Sequence, residues 1–143
     1  MVFGMIASCP GKAAVMHSFS IEAGSGVERV EAMLIMAGQD VVAVFGGGAK
    51  HHIGASALAV ARPSLAGNQR NSASCSVLCV TGHKEDELAR NAALRLSARY
   101  ACVVNVTVGL HIDRATPEQI KALVDNFNLC LVRAEELLAA NSG

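Results

Sequence analysis

Over residues 101–113 every second residue is apolar, and this period of two residues is typical of a β-strand with one buried face. One face is wholly apolar and consists of Cys102, Val104, Val106, Val108, Leu110 and Ile112. The other face carries Asn105, Thr107, Gly109, His111 and Asp113. A strand with such a polar face either faces water or lines a wet cavity, so this segment is a candidate for a binding site.

The rest of the hydrophobic pattern predicts an α+β domain. Alternation and turn residues predict five earlier strands, over residues 14–22, 30–36, 41–45, 53–61 and 74–81. The short connections between the first four predict an antiparallel meander. Over residues 84–100, apolar residues recur every four positions, which predicts an amphipathic helix between the fifth and sixth strands.

A second helix is predicted after the sixth strand. Thr116, Pro117 and Gln119 supply an N-cap, a proline at the first helical position and a capping-box partner. The predicted order, β-β-β-β-β-α-β-α, indicates a largely antiparallel sheet with two helices on one face. We expect a single domain over residues 1–143, in which residues 1–12 form a flexible N-terminus.

Composition limits the classes of partner. Hydrophobic residues make up 52% of the chain, yet no uncharged apolar run approaches the ~18 residues of a membrane-spanning helix. We therefore expect no membrane partner, and we expect the apolar excess in a core and in a homo-oligomer interface. The 12 basic and 12 acidic residues balance and aromatic residues are scarce, which disfavours nucleic acid. Five cysteines without a CxxC pair or a secretory leader predict reduced thiols in a cytoplasmic protein.

The fourth predicted strand has one face of small residues. This face consists of Ala55, Ala57, Ala59 and Ala61, whereas Leu58 and Val60 lie on the bulkier face. A single sheet with both helices on one face leaves its other face uncovered. We therefore expect the alanine face to pack against a second copy of the chain and form a homodimer.

Three consecutive glycines lie between the third and fourth predicted strands, where they free the backbone for positive φ and for close approach by another group. A lysine, two histidines and a further glycine follow, so the segment contains Gly46, Gly47, Gly48, Lys50, His51, His52 and Gly54. We interpret this concentration of bare amides, positive charge and imidazole nitrogens as the binding site. Adjacent residues of an extended chain point to opposite faces, so one histidine at most is expected to face the site. The alternative is an ordinary solvent-facing loop, because three glycines match no nucleotide-binding fingerprint.

Three histidines, His52, His83 and His111, each lie at or near a strand end and could converge. Such a set could hold Zn²⁺, but the chain has no HxH, HExxH or Cys/His pair at ligand spacing, so no metal is expected. The chain has no GxSxG motif, and Cys75 and Cys79 are interpreted as small core residues. We therefore predict a carrier. The alternative is a small enzyme, either a decarboxylase subunit or a metal-dependent hydrolase that uses the three histidines.

Lys50, Lys84, the glycine amides and the start of the first helix could together hold a phosphate. Glu85, Asp86 and Glu87 count against this arrangement. These three acids already complement the helix dipole and repel a dianion unless they turn outward.

Three motifs occur in a characteristic order: GGGAKHHIG starting at Gly46, then HK at His83, then GLHID with TPEQI starting at Gly109. Together they resemble the LpdD-like family of small proteins encoded beside gallate-type UbiD decarboxylases, and the resemblance extends over residues 33–123. It implies a dimer with a fold similar to the proteasome-assembly chaperone pair. It also implies a chaperone that binds reduced prenylated flavin mononucleotide (FMN) and helps to load it into an apo-decarboxylase of the UbiD type.

By position in these motifs, the resemblance assigns the site to His52, Gly54, His83, Lys84 and His111. A reduced flavin is a planar apolar ring system with a phosphate tail, so it needs an apolar slot, a few donors and an anion site. The glycine amides with Lys50 or Lys84 suit the phosphate, and His52, His111 and Asn105 suit the polar ring edge. We therefore expect the cofactor at the glycine loop, with the polar face of the sixth strand as its floor.

Overall fold

Residues 16–141 are described by the computed structural model of this chain. They form six strands and two long helices: β1 Met16–Ala23, β2 Val30–Ala37, β3 Asp40–Gly48, β4 Ala55–Pro63, β5 Asn71–Cys79, α1 Asp86–Tyr100, β6 Val104–His111 and α2 Pro117–Asn141. The predicted order of elements is therefore correct over this part of the chain. The predicted strand start at residue 14 and the predicted flexible segment, residues 1–12, lie outside the described residues.

The six strands form one sheet in the order β1-β2-β3-β6-β4-β5. Neighbouring strands are antiparallel except for β3 and β6, which run parallel. β1, β2 and β3 form an antiparallel meander, but β4 does not continue it, because β6 inserts between β3 and β4 after the chain returns through α1. The prediction of a largely antiparallel α+β fold is confirmed, and the one parallel pair makes the sheet mixed.

Both helices cover the same face of the sheet. α1 packs on β4, β5 and β6, and α2 packs on β1, β2 and β3. Buried side chains line up across this face, so that Phe45 of β3 lies beside Val108 of β6. Phe45 also contacts Phe127 of α2, with ring centroids 4.8 Å apart. The core is therefore a single layer between the sheet and the helices.

A buried glutamate joins the two helices. Glu135 of α2 is 3% exposed, and both of its carboxylate oxygens accept hydrogen bonds of 2.6 Å from Arg95 of α1. Arg99 lies 3.2 Å from the same carboxylate, and the Tyr100 hydroxyl donates to the Glu135 carbonyl oxygen at 2.6 Å. These contacts hold the last turns of α1 against the second half of α2.

The start of α2 has the predicted capping box. The Gln119 amide donates to Thr116 Oγ1 at 3.1 Å, and the Thr116 amide donates to Gln119 Oε1 at 3.0 Å. These bonds satisfy two backbone donors that the helix itself leaves unpaired.

The alanine face of β4 packs inside the chain, so its predicted role in a dimer interface is wrong. Ala55, Ala57 and Ala59 are fully buried on the face that α1 covers. α1 contributes small buried residues of its own, namely Ala89, Ala92 and Ala93. Small side chains on both surfaces allow the helix to lie close to the sheet, and this is the use the fold makes of the alanine pattern.

No described element covers the opposite side of the sheet, which we call the open face. Several exposed apolar side chains lie on it, from β2, β3, β4 and β5: Met33, Val44, Leu58, Val60 and Leu78. An apolar surface on the open face therefore remains, although its residues differ from those predicted. Within residues 16–141, no helix combines the length and the hydropathy needed to span a bilayer.

Candidate functional site

The glycine run is the end of a strand and not a loop. Gly46, Gly47 and Gly48 complete β3 and pair with residues 109–111 of β6. The chain then crosses the end of β6, where the Ala49 amide donates to the His111 carbonyl at 2.7 Å and the Gly54 amide to the Val108 carbonyl at 2.9 Å. The Gly48 amide donates to the Arg29 carbonyl at 3.2 Å. These amides are bonded to protein carbonyls, so Gly48 does not offer a free amide to the predicted phosphate cradle.

The glycines around this crossing are needed for close contact between chain segments. A Cβ on Gly109 would lie 1.7 Å from the His52 carbonyl oxygen, and a Cβ on Gly46 would lie 2.3 Å from the His51 ring. A Cβ on Gly54 would lie 2.4 Å from the Glu85 carboxylate. All three distances are far shorter than a van der Waals contact, so a side chain at any of these positions would displace the histidine segment or Glu85.

The three histidines converge, as the sequence suggested they could. His52 Nε2 lies 3.0 Å from His83 Nδ1, and the two rings have centroids 4.5 Å apart. The His111 ring meets the His52 ring edge-on, with centroids 6.0 Å apart. His111 Nε2 is turned toward Asp113, whose Oδ1 lies 2.8 Å away. His52 and His83 therefore form a close pair, and His111 lies beside it with a partner of its own.

Glu85 is the member of this cluster that the sequence did not indicate. Its side chain is 10% exposed, its Oε1 lies 3.1 Å from His52 Nε2, and its Oε2 lies 3.8 Å from His83 Nδ1. Oε1 also accepts a hydrogen bond of 3.2 Å from the Leu110 amide. Oε2 is buried and has no hydrogen-bond partner among the described residues. The acid expected to complement the dipole of α1 instead turns inward against two imidazoles.

A cleft of about 460 Å³ opens beside this cluster, over β1, β2 and β3 on the open face. Its lining residues are Ser20, Ile21, Glu22, Arg29, Glu31, Ala32, Met33, Val44, Phe45, Gly46, His51 and His52. His51 Nε2 lies 3.0 Å from Glu31 Oε2, whereas His52 points to His83 and Glu85. The adjacent histidines thus diverge as predicted, but both line the cleft. The polar face of β6 contributes nothing to the lining, so the predicted floor differs from this cleft.

Among the described residues of the lining, Arg29 is the only lysine or arginine, and no sequence motif pointed to it. Its guanidinium pairs with both Glu22 and Glu31. With neutral histidines, the lining therefore carries one positive and two negative charges. This balance suits an uncharged ring system better than it suits a phosphate dianion.

Other predicted site residues lie apart from the cleft lining. Asn105 is six residues before His111, about 20 Å away along the strand, and its amide donates to Ser56 Oγ at 3.1 Å. Lys50 and Lys84 are exposed, and neither ammonium forms a hydrogen bond or an ion pair with the described part of the chain. Lys50 lies two residues after the end of β3 and Lys84 directly follows His83, so both flank the histidine cluster in sequence without lining the cleft.

Three of the four described cysteines are poor nucleophiles. Burial raises the pKa of Cys102 to about 11 and the pKa of Cys130 to about 11, and burial also raises the pKa of Cys75. Only a small fraction of such thiols is ionised at neutral pH, and the thiolate is the reactive form. The interpretation of Cys75 and Cys79 as small core residues is wrong for Cys79, which is exposed, whereas Cys75 is partly buried.

Comparison with known proteins provides three findings. A family model described as a prenylated flavin chaperone LpdD-like domain matches residues 24–139. A chain from the crystal structure of a chaperone complex for yeast 20S proteasome assembly has a similar fold, with a TM-score of 0.57 and 17% sequence identity, covering 90% of this chain and 98% of that chain. That likeness shows the fold alone and confirms the fold predicted from the resemblance. No curated protein matches the sequence.

Proposed function

We propose that this chain, which belongs to the prenylated flavin chaperone LpdD-like domain family, is a cytoplasmic carrier of reduced prenylated FMN. In this proposal it delivers the cofactor to a UbiD-type hydroxyarylic acid decarboxylase. The observation that carries the proposal is the cleft of about 460 Å³ beside His52. Pockets that bind small molecules and cofactors typically have volumes of about 300–1,000 Å³, so the cleft has a suitable size.

The residues of the cleft fit the ring system of a flavin. Met33 and Val44 offer apolar surface, and the rings of His51 and His52 border the cleft where the polar ring edge would lie. The space beside Gly46 is filled by the His51 ring, so this ring forms part of the wall against which a planar group would lie. The protein's part in this proposal is to bind the cofactor, to orient it and to shield it until it is released.

The phosphate tail is expected outside the acidic part of the cleft. Glu22 and Glu31 already pair with Arg29, so a dianion there would meet two carboxylates. Lys50 and Lys84 are exposed and have no ion partner among residues 16–141, which leaves both ammonium groups available. We therefore retain these two lysines as the candidate phosphate ligands.

The proposal includes a homodimer that is formed through the open face. This face presents exposed apolar side chains from four strands, and apolar patches rimmed by polar residues are typical of association surfaces. In a two-fold dimer, the open face of one copy would pack against the open face of the other. Because the cleft lies on the same face, dimerisation would bring the two cofactor sites near the interface.

The test is an anaerobic titration with reduced prenylated FMN. Lys84→Ala removes a charge-assisted contact, and we expect it to weaken binding by about tenfold to a hundredfold, which corresponds to ~1.5–3 kcal/mol. His52→Ala should weaken binding to a similar extent. The matched control is Lys121→Ala, which removes an exposed lysine of α2 that pairs with Asp125. Each variant is first checked for an unchanged circular dichroism spectrum and melting temperature.

Delivery is tested by mixing the loaded protein with an apo-decarboxylase of the UbiD type and following decarboxylation of a hydroxybenzoate. We expect faster activation than with free cofactor at the same concentration. If affinity is unchanged in Lys84→Ala, His52→Ala and His111→Ala, the cofactor binds elsewhere on the chain. If loaded protein does not accelerate activation, the carrier function is wrong.

A second candidate function is a small enzyme, and the close contact of His52, His83 and Glu85 favours it. Two imidazoles and a buried carboxylate could serve as acid–base groups or as ligands of a catalytic metal. The purified protein, assayed alone for hydroxybenzoate decarboxylation with and without added divalent metal, separates the two functions. Turnover without a UbiD-type partner would support the enzyme and contradict the carrier.

A further inference from the structure

The donor atoms of His52, His83 and Glu85 surround a common point. One nitrogen from each imidazole and a carboxylate oxygen all lie within 4.8 Å of one another. The individual separations are 3.0 Å between the two nitrogens, and 3.1 Å and 3.8 Å from the nitrogens to the carboxylate oxygens. Zinc ligands lie about 2.1 Å from the metal, so two ligands of one tetrahedral zinc are about 3.4 Å apart. The observed separations lie on both sides of this value.

The hydrogen bonds of these groups leave electron-pair donors facing one another, a situation that a bound cation would relieve. His52 Nδ1 lies 3.4 Å from the Lys50 carbonyl oxygen, toward which it can donate its proton. Nε2 of His52 then presents a lone pair to His83 and to Glu85. Glu85 Oε2 is buried and lacks a hydrogen-bond partner among the described residues. Converging lone pairs on buried atoms are unfavourable unless a proton or a metal ion lies between them.

We propose that His52 Nε2, His83 Nδ1 and the Glu85 carboxylate form a binding site for a divalent transition metal, with Zn²⁺ as the preferred ion. Two imidazoles and one carboxylate are a ligand set that zinc accepts, whereas Mg²⁺ and Ca²⁺ prefer oxygen ligands alone. The Leu110 amide holds Glu85 Oε1, and the Lys50 carbonyl orients the His52 ring. Such outer contacts position metal ligands in known sites.

Three protein ligands leave a coordination position open. His111 is the next imidazole, but its Nε2 is held by Asp113 Oδ1 at 2.8 Å. His52 is also part of the cleft lining, so the open position lies at the edge of the cleft. All three proposed ligands belong to this chain, so the proposal does not rest on the carrier function.

The test is calorimetric titration of the metal-free protein with Zn²⁺ alone, in the absence of flavin. We expect one Zn²⁺ per chain, and a loss of affinity of at least about a hundredfold in His83→Ala and in Glu85→Gln, since even outer-shell changes cost 10–100-fold. Glu85→Gln keeps the side-chain volume and an oxygen for the Leu110 amide, so it is the variant best suited to retain the fold. His51→Ala is the matched control, because it removes a neighbouring imidazole that points to Glu31.

A second measurement identifies the ligands. Co²⁺ substituted for Zn²⁺ should show the visible spectrum of nitrogen and oxygen ligation without thiolate charge-transfer bands. This spectrum should be unchanged in Cys79→Ser, which removes an exposed thiol. Thermal unfolding should shift upward with Zn²⁺ in the wild type and in His51→Ala but not in Glu85→Gln. Absence of stoichiometric Zn²⁺ binding, or equal affinity in wild type, His83→Ala and Glu85→Gln, would overturn the metal site.

Discussion

At the scale of single residues, the site depends on two glycines, because a side chain at either position would overlap a neighbouring group. Gly54 and Gly109 leave space for the Glu85 carboxylate and for the His52 carbonyl respectively. Neither glycine has a positive φ, so its role is one of space and not of backbone conformation. Glycines of this type are required by their neighbours in the fold, whereas the positive φ that the sequence analysis associated with the glycine run occurs at Gly48.

We predict that Gly54→Ala destabilises the protein through Glu85. Its new Cβ would lie 2.4 Å from the carboxylate, and overpacking of this kind costs about 1–3 kcal/mol. Truncation of the acid in Gly54→Ala/Glu85→Ala removes the clashing atoms, so the double variant should lose clearly less stability than the sum of the single variants. Urea unfolding of the four proteins measures this coupling.

The control cycle pairs Gly54→Ala with Glu87→Ala, an exposed acid in the first turn of the same helix. This pair should be additive within about 0.5 kcal/mol. Additivity in the Glu85 cycle as well would mean that the carboxylate does not occupy the space beside Gly54.

At the scale of elements, the parallel β3–β6 pair and the α1–α2 junction determine the shape of the domain. β6 lies between β3 and β4, and this position brings the ends of β3, β4 and β6 together at the histidine cluster. The helices that cover the sheet are joined by Glu135 with Arg95 and Arg99. Because Glu135 is buried, its carboxylate depends on both guanidiniums for its solvation.

We predict that Glu135→Ala lowers the free energy of unfolding by about 2–3 kcal/mol, somewhat less than for a fully buried pair, because the arginines remain about half exposed. The matched control is Asp125→Ala, which breaks the exposed pair with Lys121 on the same helix and should cost less than about 0.5 kcal/mol. Chemical denaturation measures both values. Similar small losses in the two variants would show that the junction contributes little.

At the scale of the whole molecule, the sheet has one face packed by helices and one open face. On the open face, Leu58 is 48% exposed and Leu78 is 79% exposed, at positions that no residue of the described range 16–141 covers. Serine and threonine side chains alternate with these residues across β4, β5 and β6. This mixture of apolar and small polar groups suits an interface that forms between folded chains.

We predict that the wild type is a dimer at micromolar concentration and that Leu58→Asp is a folded monomer, because a carboxylate there would be buried without a partner in the interface. Ile120→Asp on α2 is the matched control, since Ile120 is 53% exposed on the opposite side of the molecule. Multi-angle light scattering measures the masses. A monomeric wild type, or equal masses for Leu58→Asp and wild type, would contradict the open-face dimer.

The sequence by itself determined the elements, their order and the fold class, because hydrophobic period, capping and turn chemistry are local properties. The capping box at Thr116 and the alternation along β6 both appear in the structure where the pattern places them. The family motifs likewise pointed to His52, His83 and His111, which do converge.

Only the tertiary structure decided which residues meet. Glu85 and Arg29 carried no local signal, since an acid before a helix and an arginine after a turn are common surface patterns. His52 and His83 are 31 residues apart, and the pairing of β4 between β5 and β6 brings them to 3.0 Å with Glu85. The direction of the alanine face also depended on which side of the sheet the helices cover, because alternation along a strand defines two faces without saying which one is buried.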